Sequence, residues 1–319
     1  MKRKSNFMID ASLLPALEDV LMVARTGSVA AASALLHKTP SAVSQQVRRV
    51  QQHFGIHLFE RVGRGVRLSS AGEQALLAIN RLFDEAEGLF GLLSDLAGAS
   101  TTTLRVAASD YLGKGLLLPV IRELYAQNSP LRFEITTTHS LDAPRQVERG
   151  QVDLAMVTTL EAREGLAEKV LFRQPFFWVG PRRKEPKSTL EKRLEREPLL
   201  RLAAGSQGRR LLDAFLDQKR LRPASTIDVP SVSLLLSYAS GGLGVGLVPA
   251  LAIADAGPLR LWAELAPVPV LPVKLVWRAN YRPTAPVERF IDKVVAAGRM
   301  AARKLPNRSG AKGQHLDLL

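Results

Sequence analysis

Ser41, Ser44, Gln45 and Arg48 lie on one turn-spaced face of a segment whose apolar residues fall on another face. Hydroxyl, amide and guanidinium groups so arranged can hydrogen-bond base edges or phosphates, with arginine reaching guanine or a phosphate oxygen. Thr39 stands at the start of the same segment and is expected to contact DNA with them. Arg61, Arg64 and Arg67 follow around a glycine-containing turn, and the last two are expected to meet phosphates or a minor groove. A second set, Ser109, Thr137, Thr138, Thr158, Gly205 and Ser206, falls where strands end or helices begin, where backbone N–H groups can hold an anion, and is expected to contact a small-molecule effector. Catalytic chemistry has a poor inventory by comparison. The five histidines include no His-Glu-x-x-His pair, cysteine is absent, and neither a P-loop, a G-x-G-x-x-G fingerprint nor a G-x-S-x-G elbow occurs. No catalytic residue, metal ligand or cofactor is therefore expected.

The first set needs short helices to present it. Ser12 is a candidate cap for a helix carrying Leu13, Leu17, Val20, Leu21 and Ala24, which Gly27 ends. Ser28 can cap a second helix, Val29 to Leu36, and Thr39 a third with Pro40 in its first turn, where the missing N–H costs nothing. Val43, Val47, Val50 and Phe54 form the third helix's expected buried stripe. Two helices joined by a tight turn, followed by the hairpin from Leu58 to Leu68, give a winged helix-turn-helix.

Ser70 and Glu73 have capping-box spacing and announce a long helix. Its Leu76, Ile79, Phe83, Ala86, Phe90, Leu93 and Ala97 alternate at three and four residues, a coiled-coil seam that predicts dimerisation through the first six. One arginine, Arg81, faces Glu73, Asp84, Glu85, Glu87 and Asp95 along this helix, so it is no polyanion contact. Beyond a small polar linker the texture becomes alternating strands and helices: strands Leu104 to Ala108, Phe133 to Thr138 and Val152 to Val157, with helices Leu116 to Gln127 and Pro144 to Gly150 between them. A second set runs from Phe176 to about Ala266, and the strand Val273 to Arg278 with the helix Val287 to Arg303 closes the chain. Such units predict an α/β fold with mainly parallel sheets in two lobes. The expected domains are a DNA-binding domain over 1–72, a dimerisation helix and hinge over 73–103, an effector domain over 104–303 and a basic tail over 304–319. Lobe I takes 104–175 and 271–303, lobe II 176–270.

Composition bounds the rest. The 319 residues are 46% apolar and 23% charged, an ordinary globular balance for about two domains. Lysine and arginine number 44 against 30 acids, and the formal charge of +14 favours a polyanionic partner. Absent cysteine fits a reducing cytosol and excludes a disulfide framework. The N-terminus is basic without an apolar core and cleavage site, so no signal peptide is expected. The apolar run over 234–256 contains polar residues, glycines and Pro249, and reads as a buried strand–turn–helix, not a membrane span. The expectation is a cytoplasmic chain with no membrane partner.

The segments Gly27-Ser28-Val29-Ala30-Ala31-Ala32, Thr39-Pro40-Ser41-Ala42-Val43-Ser44-Gln45-Gln46-Val47-Arg48, Leu58-Phe59-Glu60-Arg61 and Leu68-Ser69-Ser70-Ala71-Gly72-Glu73 together resemble the LysR-type transcriptional regulators. The similarity runs from about Leu13 to Arg303, with Gly150 to Val157 and Ser240 to Pro249 carrying it in the second half. The resemblance implies a dimerising linker helix and a two-lobed effector domain similar to periplasmic binding proteins. It further implies a small-molecule co-inducer between the lobes, assembly as a homodimer or homotetramer, promoter DNA as partner and RNA polymerase as a further contact. Two other classes stand beside this reading: a binding module without transcriptional output, and an enzyme, for which no catalytic constellation speaks.

Overall fold

The computed structural model describes residues 10–63, 65–97, 102–159, 161–181, 190–255, 259–262 and 270–305. The expected basic arm and frayed tail, and Arg64, lie outside them. The contacts separate two compact units, the first made mostly of residues up to Leu93 and the second mostly of those after it.

In the first unit, α1 (Leu14–Thr26), α2 (Val29–Leu35) and α3 (Pro40–Phe54) precede a hairpin of β1 (Phe59–Val62) and β2 (Gly65–Leu68), and α4 (Ser70–Ala97) follows. Gly27 and Gly55 end α1 and α3 at φ +66° and +65°, the left-handed conformation in which a side chain is strained. Ser28 and Thr39 cap α2 and α3 through Ala31 N–H and Ala42 N–H. Ser12 is not a cap: a 3₁₀ turn over Ala11–Leu13 precedes α1, and the Ser12 hydroxyl lies between Asp10 and Arg49. The cap of α4 likewise falls one residue before the expected Ser70. Ser69 Oγ accepts from Gly72 N–H at 2.9 Å and donates to His57 O, which ties the helix start to the hairpin. Ala16, Val20, Val23, Val43, Val47, Val50, Leu58 and Leu76 share one core. Phe54, placed in the buried stripe by its spacing, is instead 54% exposed at the helix end and packs edge-on to His53.

The second unit holds two five-stranded sheets. The lobe I sheet contains β3 (Thr102–Ala108), β4 (Leu131–Thr137), β5 (Leu154–Thr158), β6 (Leu166–Gln174) and β12 (Leu271–Arg278), in the order β4-β3-β5-β12-β6. The lobe II sheet contains β7 (Phe176–Pro181), β8 (Leu199–Leu202), β9 (Thr226–Val229), β10 (Val245–Pro249) and β11 (Leu259–Trp262), in the order β11-β7-β10-β8-β9. Helices α5 (Asp110–Leu112), α6 (Leu118–Ala126), α7 (Ala143–Glu148) and α11 (Ala285–Lys304) accompany the first sheet. Helices α8 (Leu190–Leu194), α9 (Gln207–Lys219) and α10 (Val232–Ser240) accompany the second.

Each sheet is mixed, which corrects the mainly parallel expectation. β4, β3 and β5 run parallel, while β12 is antiparallel to both β5 and β6. β9, β8 and β10 repeat that arrangement, with β7 antiparallel to β10 and β11. The described part of the apolar run, 234–255, folds in the reverse of the expected order, helix α10 first, a turn at Gly242 with φ +89°, then the buried β10. The chain leaves the first sheet at Gln174, starts the second at Phe176, and re-enters the first at Leu271, directly opposite Gln174 in the β6–β12 register. No helix of the described residues is long and apolar enough to cross a membrane.

Candidate functional site

Pro40 opens α3, and Val43, Val47 and Val50 bury its inner face, so the outer face is left to Ser41, Gln45 and Arg48, all exposed, with Ser44 half-buried. Thr39 is committed to the cap and also lies 3.0 Å from the Ser41 hydroxyl. Arg67 is exposed on β2 and pairs with Glu60 across the hairpin at 2.9 Å, a partner the sequence reading did not supply. An exposed ion pair of this kind is worth ~1 kcal/mol or less and yields readily to a phosphate.

The heptad stripe of α4 divides. Leu76 and Ile79 are buried in the first unit's own core and Phe83 packs against it, so these three do not form a free seam. Ala86 is half-buried, and Phe90 and Leu93 are 68% and 52% exposed. Leu82 and Leu89, the flanking positions, are exposed too. The surface open to a second chain is therefore the C-terminal half of the expected seam.

Within the second unit, a narrow cleft of about 40 Å³ lies between the two sheets. Of the six residues expected there, Ser109, Thr158 and Ser206 line it. Thr137 is exposed elsewhere, and the Thr138 hydroxyl accepts from Gln146 Nε2. Gly205 lies on the rim, where an added Cβ would stand 2.8 Å from Asp142 Oδ2. Spacing missed Tyr111, His139, Ser140 and Gln207, which all line the cleft, as does Asp110, whose place beside Ser109 sets a charge against carboxylates. Asp110 Oδ2 accepts from Ser233 N–H, in the first turn of α10, at 2.8 Å. A carboxylate at a helix N-terminus is favoured both by the free N–H and by the helix dipole.

The floor is a buried polar chain. Gln174 Nε2 donates to the Tyr111 phenol at 3.1 Å, the phenol lies 2.7 Å from Thr158 Oγ1, and Gln174 Oε1 accepts from Leu251 N–H. Gln174 thereby joins both lobes at the crossing. Burial pushes the Tyr111 hydroxyl from 10.0 up to about 12, with its hydrogen bonds to Thr158 and Gln174 opposing. The proton therefore stays bound longer in the folded chain. Below pH 10 the contribution of Tyr111 is intact, and it is lost as pH rises from there through about 12. Tyr111→Phe is expected to lower stability by ~1–3 kcal/mol at neutral pH through the stranded Gln174 and Thr158 groups, and to flatten the decline over that alkaline window. Urea unfolding followed by circular dichroism at several pH values measures both. An unchanged alkaline slope would show that the phenol is not held as described.

Among the described residues no cluster of three or more His, Asp or Glu side chains is placed to hold a metal ion. The site's parts are thus a helix face with a wing, and a two-lobed cleft: a DNA reader joined to a ligand-binding domain. Residues 14–73 match the bacterial regulatory helix-turn-helix of the lysR family, and residues 97–299 the LysR substrate binding domain. The chain belongs to the LysR family of transcriptional regulators, DNA-binding proteins with a substrate-binding domain.

A stretch of 168 residues is 30% identical to the HTH-type transcriptional regulator DgdR of Burkholderia cepacia, spanning 51% of this chain and 54% of that one. The uncharacterized HTH-type transcriptional regulator YfeR of Shigella flexneri is 25% identical over 300 residues, 91% of this chain and 96% of the relative. A full-length OxyR variant from Pseudomonas aeruginosa shares the fold at a TM-score of 0.68 with 22% identity, over 92% of this chain and 97% of that structure.

Proposed function

We propose that this regulator is a cytoplasmic homo-oligomer that reads a promoter through Ser41, Ser44, Gln45 and Arg48, and that a small molecule in the lobe cleft changes how it holds that DNA. The observation that carries the reading is the exposed polar face of α3 on a buried valine stripe, beside a wing bearing Arg67. Arg64, which belongs to the same wing in sequence, completes the proposed phosphate contacts. Leu89, Phe90 and Leu93 support pairing of two α4 helices, and twofold symmetry would set the spacing of two half-sites. In this reading Ser109, Thr158 and Ser206 contact the effector, the protein binds no cofactor and catalyses no reaction, and RNA polymerase is the partner engaged at the promoter.

Fluorescence anisotropy of the full chain on its own upstream intergenic DNA and on a scrambled duplex tests the proposal. The expected preference is ~10³-fold or more at one fixed near-physiological salt. Arg67→Ala should weaken both duplexes alike and reduce the salt slope by ~0.9, whereas Arg48→Ala should cost ~1–3 kcal/mol chiefly on the preferred site. Equal affinity of the wild-type chain for both duplexes would leave only non-specific phosphate binding and sink the promoter reading at that locus.

A further inference from the structure

The proposed effector cleft has an unequal charge inventory. Among the described residues, its ionisable lining side chains are Asp110, Tyr111 and His139, with no lysine or arginine beside them. Of the arginines at the start of α9, beside the cleft, Arg209 is engaged by Asp213 and Asp228, and Arg210 makes an exposed pair with Glu161 at 2.8 Å. Both helix N-termini that face the space are partly satisfied from within as well. Ser206 Oγ takes Arg209 N–H on α9, and Ser231 Oγ and Asp110 Oδ2 take Leu234 and Ser233 N–H on α10. The chain's own carboxylate thus sits where an acidic ligand would find its donors. One buried oxygen of the lining, Gln207 Oε1, has no hydrogen-bond partner, while Ser109 Oγ lies against the Tyr111 phenol. A buried oxygen left unpaired is costly and calls for a donor.

We infer that the cleft selects an effector presenting an ammonium group to Asp110, with Gln207 Oε1 accepting a second of its hydrogens, and that Asp110 excludes carboxylates. This rests on the cleft being the effector site. An ammonium carries three donors and no acceptor, which matches a surface offering a carboxylate oxygen and an unpaired amide oxygen. A carboxylate has no donor for those oxygens and meets the Asp110 charge directly. Phe176, Leu202 and Val232 supply apolar wall for the rest of a small molecule.

Calorimetric titration of the full chain with skeleton-matched probes decides the matter: 1,5-diaminopentane against glutarate, and benzylamine against benzoate. At least one amine is expected to bind with Kd of about 1 mM or tighter, with its matched acid at least tenfold weaker. Asp110→Asn keeps an oxygen for Ser233 N–H and removes the charge, and should weaken that amine tenfold or more. Gln207→Leu, which leaves the Asp110 contact untouched, should weaken it about threefold.

Tighter binding of an acid than of its matched amine would overturn the ligand class while leaving the effector reading intact. Amine affinity unchanged in Asp110→Asn would overturn the role of Asp110. Binding of neither series to the wild-type chain would overturn the inference and withdraw the cleft's support for an effector.

Discussion

Gly72→Ala is expected to destabilise the first unit by about 3 kcal/mol or more and to remove DNA binding with it. A Cβ at this position would stand 2.0 Å from the Leu58 carbonyl oxygen, 2.9 Å from its carbon and 3.1 Å from Leu68 Cδ2. The nearest of these are main-chain atoms that no rotamer change can move, so α4 must retreat from the hairpin. That retreat also loosens Gly72 N–H from Ser69 Oγ and Ser69 from His57, the contacts that join helix to wing. Gly113→Ala is the control, because a Cβ there meets nothing within 4 Å and its φ is −56°. Urea unfolding and anisotropy on the same preparations read the two variants side by side. Retention of wild-type stability in Gly72→Ala would show that the helix and hairpin do not approach this closely.

Lys38→Met should cost about 3–5 kcal/mol, an effect out of proportion to a residue with a 34% exposed side chain. Its ammonium is 2.5 Å from Asp19 Oδ1, and Asp19 is fully buried in α1 with Oδ2 unpartnered. Removing the lysine leaves a carboxylate inside the first core with nothing to neutralise it. The pair also pins the turn between α2 and α3 to α1, so weaker DNA binding should accompany the loss. Asp19→Leu combined with Lys38→Met should recover most of the stability, since an apolar pair avoids the desolvation altogether. A double-mutant cycle by chemical unfolding measures the coupling. Additive losses would show that the two groups do not depend on each other.

The third helix was legible because three independent signals coincide: Thr39 as cap, Pro40 in the first turn and valines at helical spacing. Its polar face followed by subtraction. Phe54 fits the same spacing and yet is exposed, because it falls at the last turn where the core has ended. The α4 stripe shows a harder limit. Burial against one's own chain and burial against a partner impose the same three-and-four periodicity, so Leu76 and Leu93 look alike in sequence but meet different surroundings.

β6 went unread for a related reason. Leu166–Gln174 places charged residues in its middle and lies at a sheet edge, so its pattern resembles a loop as much as a strand. Without it the antiparallel half of the lobe I sheet could not be foreseen. In the cleft, Ser109, Thr158 and Ser206 were found from their positions at strand and helix ends, as were Thr137 and Thr138, which point to other uses. Asp110 was readable only as a charge beside Ser109, because the N–H it satisfies lies 123 residues further along the chain.

The two passages of the chain between the lobes leave from neighbouring strands, Gln174 facing Leu271 in the register. Paired strands bend across their common plane far more easily than they slide or twist past each other, so closure about this crossing would confine the lobes to one arc of travel. A bound molecule then has a single mechanical quantity to set, the point on that arc at which the lobes come to rest. Compounds that fill the space incompletely would act as partial agonists, stopping the arc short, and a bulkier compound would oppose a smaller one by propping it open. Potency and maximal response would separate: the first follows affinity, and the second follows only the angle at which each ligand holds the lobes.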